Sequence, residues 1–194
     1  MHVLSLCLWG ASVLSAGLAA AIAFPTMKAL DPRLPAYARY DGDHWMLAAG
    51  TIANRVFEVT DVVQMVTAAV AVATAIALMA SRVCAGRSMA TLVWLGAVAV
   101  AAGVLGYTLI VLRPGMAVDL HAYWDAALAG NTPAAEAARQ EFSGEHPTAS
   151  NLMAATAGAV LVAIIAVIPA AGIGKRGHCA AKGEAPGGSV RGPV

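Results

Sequence analysis

Three histidines, His44, His121 and His146, and three methionines, Met27, Met46 and Met116, are the side chains of this sequence best suited to hold a metal or a haem. Imidazole and thioether suit copper, and haem iron takes either one as an axial ligand. His121 and Asp125 are four apart, so on a helix they share one face and fit a shared metal or an ordinary hydrogen bond equally well. No His-x-x-x-His, Cys-x-x-Cys or His-Glu-x-x-His occurs, which leaves the ligand set scattered along the chain, and histidines that pack within loops are the plainer reading. His178-Cys179 supplies two ligands at most. Ser150 and Cys84 have no base at readable spacing, and there is neither a Gly-x-Ser-x-Gly nor a phosphate-cradling glycine loop. These patterns point away from an enzyme.

The elements that must position such residues are four apolar runs, residues 3–24, 62–81, 89–112 and 152–173, without a single Asp, Glu, Lys or Arg. A hydrocarbon core of roughly 30 Å needs about 20 helical residues, and each run is long enough. The composition agrees, because 12% charged residues against 59% hydrophobic is too few to coat a water-soluble surface. The expected fold is all-α, an integral membrane four-helix bundle over residues 1–173, with short amphipathic helices in the two outer loops. Residues 174–194, rich in glycine, are expected to form a disordered cytoplasmic tail.

Charge distribution orients the bundle. One side receives Arg82, Arg87, Lys175, Arg176, Lys182 and Arg191 with a single acid, Glu184. The other carries Lys28, Arg33, Arg39, Arg55, Arg113 and Arg139 over longer loops and mixed with the other acids. Because dense Lys and Arg near span ends stay inside, both termini are expected to be cytoplasmic, in a bacterial cytoplasmic membrane. Twelve basic residues against eleven acidic ones give no reason to expect nucleic acid as a partner. Cys7, Cys84 and Cys179 avoid the outer loops, so no disulfide framework is expected. Ala21-Ile22-Ala23 has the form of a signal-peptidase site, but the charge-free Met1-His2 start and the long run favour a retained span.

Within the spans, Ser12, Ser15, Ala16, Ala19 and Ala23 in the first, and Gly96, Ala99, Gly103 and Gly106 in the third, make small faces suited to helix packing. Trp94 and Tyr107 fit interfacial anchors. In the first loop, Pro25, Pro32 and Pro35 are expected to break helix, and a helical pattern resumes at Ile52, Val56 and Val59, where Arg55 and Glu58 can pair. Asp61 and Gln64 sit at the outer edge of the second span, as caps or as the least implausible lining of a transport path. In the second outer loop, Arg113-Pro114-Gly115 should end the third span, 116–128 should form an amphipathic helix, and Thr132 should cap a helix over 134–142. His146-Pro147-Thr148 should break the chain before the fourth span.

Three stretches carry a family resemblance: Phe24-Pro25-Thr26-Met27 after the first span, Ala49-Gly50-Thr51-Ile52 with Arg55-Val56-Phe57 before the second, and Phe142, His146, Ser150, Asn151 and Leu152 before the fourth. In order and spacing the chain resembles the small four-span proteins typified by transmembrane protein 205, with bacterial relatives in domain-of-unknown-function family 4149. It departs from them in an insertion over 34–47 and in Pro147 after His146, where the family has a small residue. The resemblance implies the four-span fold and brings no settled activity. More remotely, the architecture looks like that of copper-resistance membrane proteins and a haem-pathway membrane family.

The reading that results is a non-enzymatic multi-pass membrane protein, a structural or interaction component in contact with the lipid bilayer and with a membrane-protein partner or a second copy of itself. Its aromatic outer-loop residues, Trp45 and Trp124 among them, supply anchors. The alternatives are copper or haem handling through His44, His121 and His146, and small-solute or ion transport past Asp61 and Gln64.

Overall fold

The computed structural model describes residues 1–81 and 88–180, the last ten for their backbone alone. Arg82, Cys84, Arg87 and most of the 174–194 tail, including Lys182, Glu184 and Arg191, lie outside the described residues or their described side chains. Among the described residues there are five helices: α1 (His2–Leu30), α2 (His44–Ala80), α3 (Met89–Tyr107), α4 (Arg113–Leu128) and α5 (Thr132–Ala180). A 3-10 turn, Pro35–Tyr37, lies between α1 and α2, and a π-helical stretch, Thr108–Leu112, joins α3 to α4 without a break. Four stretches, His2–Leu30, His44–Ala80, Met89–Leu128 and Thr132–Ala170, are long and apolar enough to cross a membrane. The architecture is the all-α bundle expected, and it is compatible with a multi-pass membrane protein.

Around the bundle α2 packs on α1, α1 on α5 and α5 on α3, while α2 and α3 barely touch. The core of the spanning half contains Leu6, Trp9, Val13, Ala71, Trp94, Ala101, Val160 and Ala163. Large side chains such as Leu4, Leu8, Ile110 and Ile168 face outward instead. In lipid an outward leucine costs nothing, so helix association rests on close approach and on hydrogen bonds. Two glycines of α1 provide such an approach: a Cβ added to Gly10 would lie 3.4 Å from Val160, and one added to Gly17 3.6 Å from Met153. The glycines of α3 do not behave this way. Gly96, Gly103 and Gly106 meet open space, so the small face expected to pack inside this chain is turned away from it.

At the end of the bundle where α1 begins, a hydrogen-bonded set joins three helices. His2 Nε2 accepts from Trp94 Nε1 at 2.9 Å, and its Nδ1 meets Thr74 Oγ1 at 2.8 Å. Trp94, expected at an interface, is fully buried because its one polar atom finds this partner inside.

Several expected breaks are continuous helix. α1 runs past Pro25 and stops only at Asp31, whose left-handed backbone (φ 41°) returns its N–H to the Met27 carbonyl. Pro114 falls in the first turn of α4, where its missing donor is tolerated, and the π stretch before it inserts a residue into the ladder that turns the following side chains. α5 continues through Pro147, where Phe142 and His146 bridge the turn: the rings meet edge-on at 4.6 Å and His146 Nδ1 lies 3.2 Å from the Phe142 carbonyl. Asn131, one residue before the expected cap, accepts from the Ala134 N–H and starts α5.

α4 buries Met116, Leu120, Tyr123 and Ala127 at three- and four-residue steps, as an amphipathic helix must. With Tyr40, Leu47 and Ala135, the residues Leu120, Tyr123 and Ala127 build a second small core, a cap across the end of the bundle that carries the long loops. The first of those loops contributes the 3-10 turn, and the helical pattern expected from Ile52 starts earlier, at His44, and runs unbroken into the second span.

Candidate functional site

Beneath the cap the helices part around a chamber of about 920 Å³. The packed core closes it on the side away from the cap. Its apolar walls come from Leu14, Leu18 and Phe24 of α1, Phe57 of α2, Leu105 of α3 and Met153 of α5. From Leu14 to Phe24 the wall runs about 15 Å along α1, at 1.5 Å per residue. Leu14 and Leu18 are 67% and 62% exposed, and Ser150 and Ala154 of α5 are exposed too, so this part of the chamber wall is not sealed from its surroundings.

Polar groups gather at the cap end of the chamber. Arg113 Nε donates to Asp61 Oδ2 at 2.8 Å, both side chains being about three-quarters buried, and the guanidinium lies 5.3 Å from the centre of the Phe57 ring. One helical turn beyond Asp61, Gln64 is 8% exposed and its side-chain amide has no hydrogen-bond partner among the described residues. Trp124 lines the wall with a buried Nε1 that also lacks a partner. Arg139 reaches the chamber from α5 while its Nε donates to Glu136 at 2.7 Å.

Glu136 ties the chamber to the cap, since it also accepts from the Tyr40 hydroxyl at 2.8 Å. Burial first, then the hydroxyl of Tyr123 and the carboxylate of Glu136, push the Tyr40 phenol well above its usual range.

Of the residues singled out from the sequence, Asp61, Gln64, His146 and Trp124 come together as chamber lining. His44, Trp45 and His121 do not. His44 is buried in the cap, with Nδ1 accepting from the Leu34 N–H at 3.0 Å and Nε2 bonded to the Tyr40 carbonyl at 2.9 Å, so both ring nitrogens are engaged. Trp45 carries the Lys28 ammonium 5.6 Å from its ring centre. His121 is exposed, bonded to its own helix at Ala117 and edge-on to Trp124. Among the described residues no three His, Cys, Asp or Glu side chains form a group able to hold a metal. Sequence reasoning missed Arg113 and Arg139 as site residues because it took them for loop charges, although an arginine beside a span end, three helical turns or more from the next cation, was the available signal.

Fold and chamber together give an all-α bundle, compatible with a multi-pass membrane protein, with a cavity beneath its cap. Comparison with family models, with curated proteins and with solved structures returns no match for this chain.

Proposed function

We propose that this chain is a non-enzymatic membrane component that binds a small molecule in the chamber beneath its cap, with the cap outside the cell and both termini in the cytoplasm. The observation that carries this is the chamber itself, whose size is at the upper end of the roughly 300–1,000 Å³ of small-molecule sites and whose apolar walls converge on a few placed polar groups. Binding suits the geometry better than catalysis. The chamber's carboxylate is held in an ion pair, and His146 is bonded to its own helix, not to Ser143 or Ser150 on the same wall. Transport is disfavoured because the core around Trp9, Trp94 and Val160 blocks the axis of the bundle. The orientation follows from the density of Lys and Arg at the opposite end.

Organic extraction of protein purified in mild detergent, followed by mass spectrometry, tests the reading. A stoichiometric small molecule is expected, and it should be lost when Ala157→Phe fills the chamber without lowering the melting temperature. Equal extracts from both proteins would refute binding in the chamber. Single cysteines at Asp43 and Gly183 check the orientation, the first being expected to label from outside intact cells and the second not.

A further inference from the structure

We infer that the ligand of the chamber is a single-chain amphiphile with an anionic oxygen head, entering from the membrane between α1 and α5 and placing that head on Arg113. This deepens the binding reading above and rests on it. The unsealed wall lies along Leu14, Leu18, Ser150 and Ala154, within or beside the apolar runs of α1 and α5, so its surroundings are lipid and not water. A molecule entering there must have an apolar body, and the walls of Leu18, Phe24, Phe57, Leu105 and Met153 accept one.

The cap end of the same chamber requires the opposite chemistry. Arg113 spends Nε on Asp61, and its two terminal nitrogens have no hydrogen-bond partner among the described residues. Those two donors lie side by side in the fork geometry that matches a carboxylate or phosphate. Gln64, more than nine-tenths buried and unpartnered, adds an amide donor one turn away on α2. The amide lies on the chamber lining without a protein partner, and a head-group oxygen supplies one. Arg139 is paired with Glu136, and Arg113 gives only its Nε to Asp61, so the open donors at this end are those of Arg113, which favour an anionic head over a cationic one. The chamber's volume, about 920 Å³, is that of a small-molecule site and suits one chain better than two.

Met153→Trp supplies the readout, because position 153 lies in the apolar wall of the chamber and bromine on an acyl chain quenches a tryptophan it touches. The full-length M153W protein in lipid nanodiscs is titrated with a mid-chain dibrominated fatty acid, its methyl ester and a single-chain brominated lysophosphatidate, and the signal of the added tryptophan is isolated by subtracting that of the protein with Met153. Saturable quenching by the acid, by the phosphate, or by both is expected, and their relative strength shows which head is preferred. Arg113→Ala should weaken it about ten-fold or more, the loss of a charge-assisted pair of hydrogen bonds. Arg113→Lys should restore part of it, and Gln64→Leu, which keeps the volume and folds without an exposed cavity, should weaken it several-fold. Saturable quenching by the methyl ester that is equal to the acid's and unchanged in Arg113→Ala and Gln64→Leu would overturn the head-group assignment and leave the binding reading standing. Quenching by all three that rises without saturation, as for lipid at any membrane surface, would overturn both.

Discussion

Arg113 and Asp61, 52 residues apart in sequence, meet through Nε and Oδ2 at 2.8 Å and so join the start of α4 to the middle of α2. α2 and α3 barely pack on each other, and this pair bridges the gap between them at the cap end. His2, Thr74 and Trp94 do the same at the other end. Between two such clamps the helices can part around a chamber without separating.

Asp61→Asn and Arg113→Gln should each lower stability in detergent by about 1–3 kcal/mol, since each leaves a largely buried charge without its partner. The double variant should lose less than the sum of the two. Strictly additive losses, measured by thermal unfolding, would show that the two charges are not coupled.

Trp94→Phe removes the donor to His2 Nε2 and leaves a buried ring nitrogen unsatisfied, at a cost of about 1–3 kcal/mol. With His2→Ala already present, Trp94→Phe should cost clearly less. A double-mutant cycle on melting curves checks this.

Glycines separate by what surrounds them. Gly130 has φ +75°, and a Cβ there would meet Arg39 at 2.7 Å, so Gly130→Ala should destabilise the cap by about 1–3 kcal/mol. Gly96 and Gly103 meet open space in α3, and alanine at either should be neutral or gain about 0.5–1 kcal/mol from helix propensity. A loss at Gly96 or Gly103 would mean that a second molecule covers that face.

The raised phenol of Tyr40 gives an alkaline limb to stability. Near neutral pH folded and unfolded chains both keep this proton, and the contribution of the Tyr40–Glu136 bond is fully present. Above about pH 10 the unfolded phenol ionises first while the folded one holds its proton, so stability falls as pH rises. Tyr40→Phe should be less stable by about 1 kcal/mol at pH 8 and should lose less between pH 9 and about 11. Melting temperatures of the two proteins across that range decide it, and parallel curves would place the alkaline loss elsewhere.

Span number and helical class were legible in the residues alone, because the length of an uncharged run relates directly to the thickness of a bilayer core. So were local pairings: Arg55 with Glu58 at 2.7 Å, and the buried stripe of α4, follow from helical spacing with no knowledge of neighbours. Which way each span turns was not legible. Lipid is as apolar as leucine, so hydrophobicity does not mark an inward face, and Gly10 and Gly17 pack while Gly96 and Gly103 do not. Prolines misled as well: Pro25 and Pro147 stay within their helices, as a proline in a membrane-spanning helix is able to do. The chamber is likewise a tertiary product. It needed α2 and α3 to diverge, a π stretch to precede Arg113 and the cap to fold over Tyr40 and Tyr123 before Asp61, Gln64, Trp124 and His146 shared one wall. Separations of dozens of residues are closed only by packing and long-range hydrogen bonds, which no local pattern encodes.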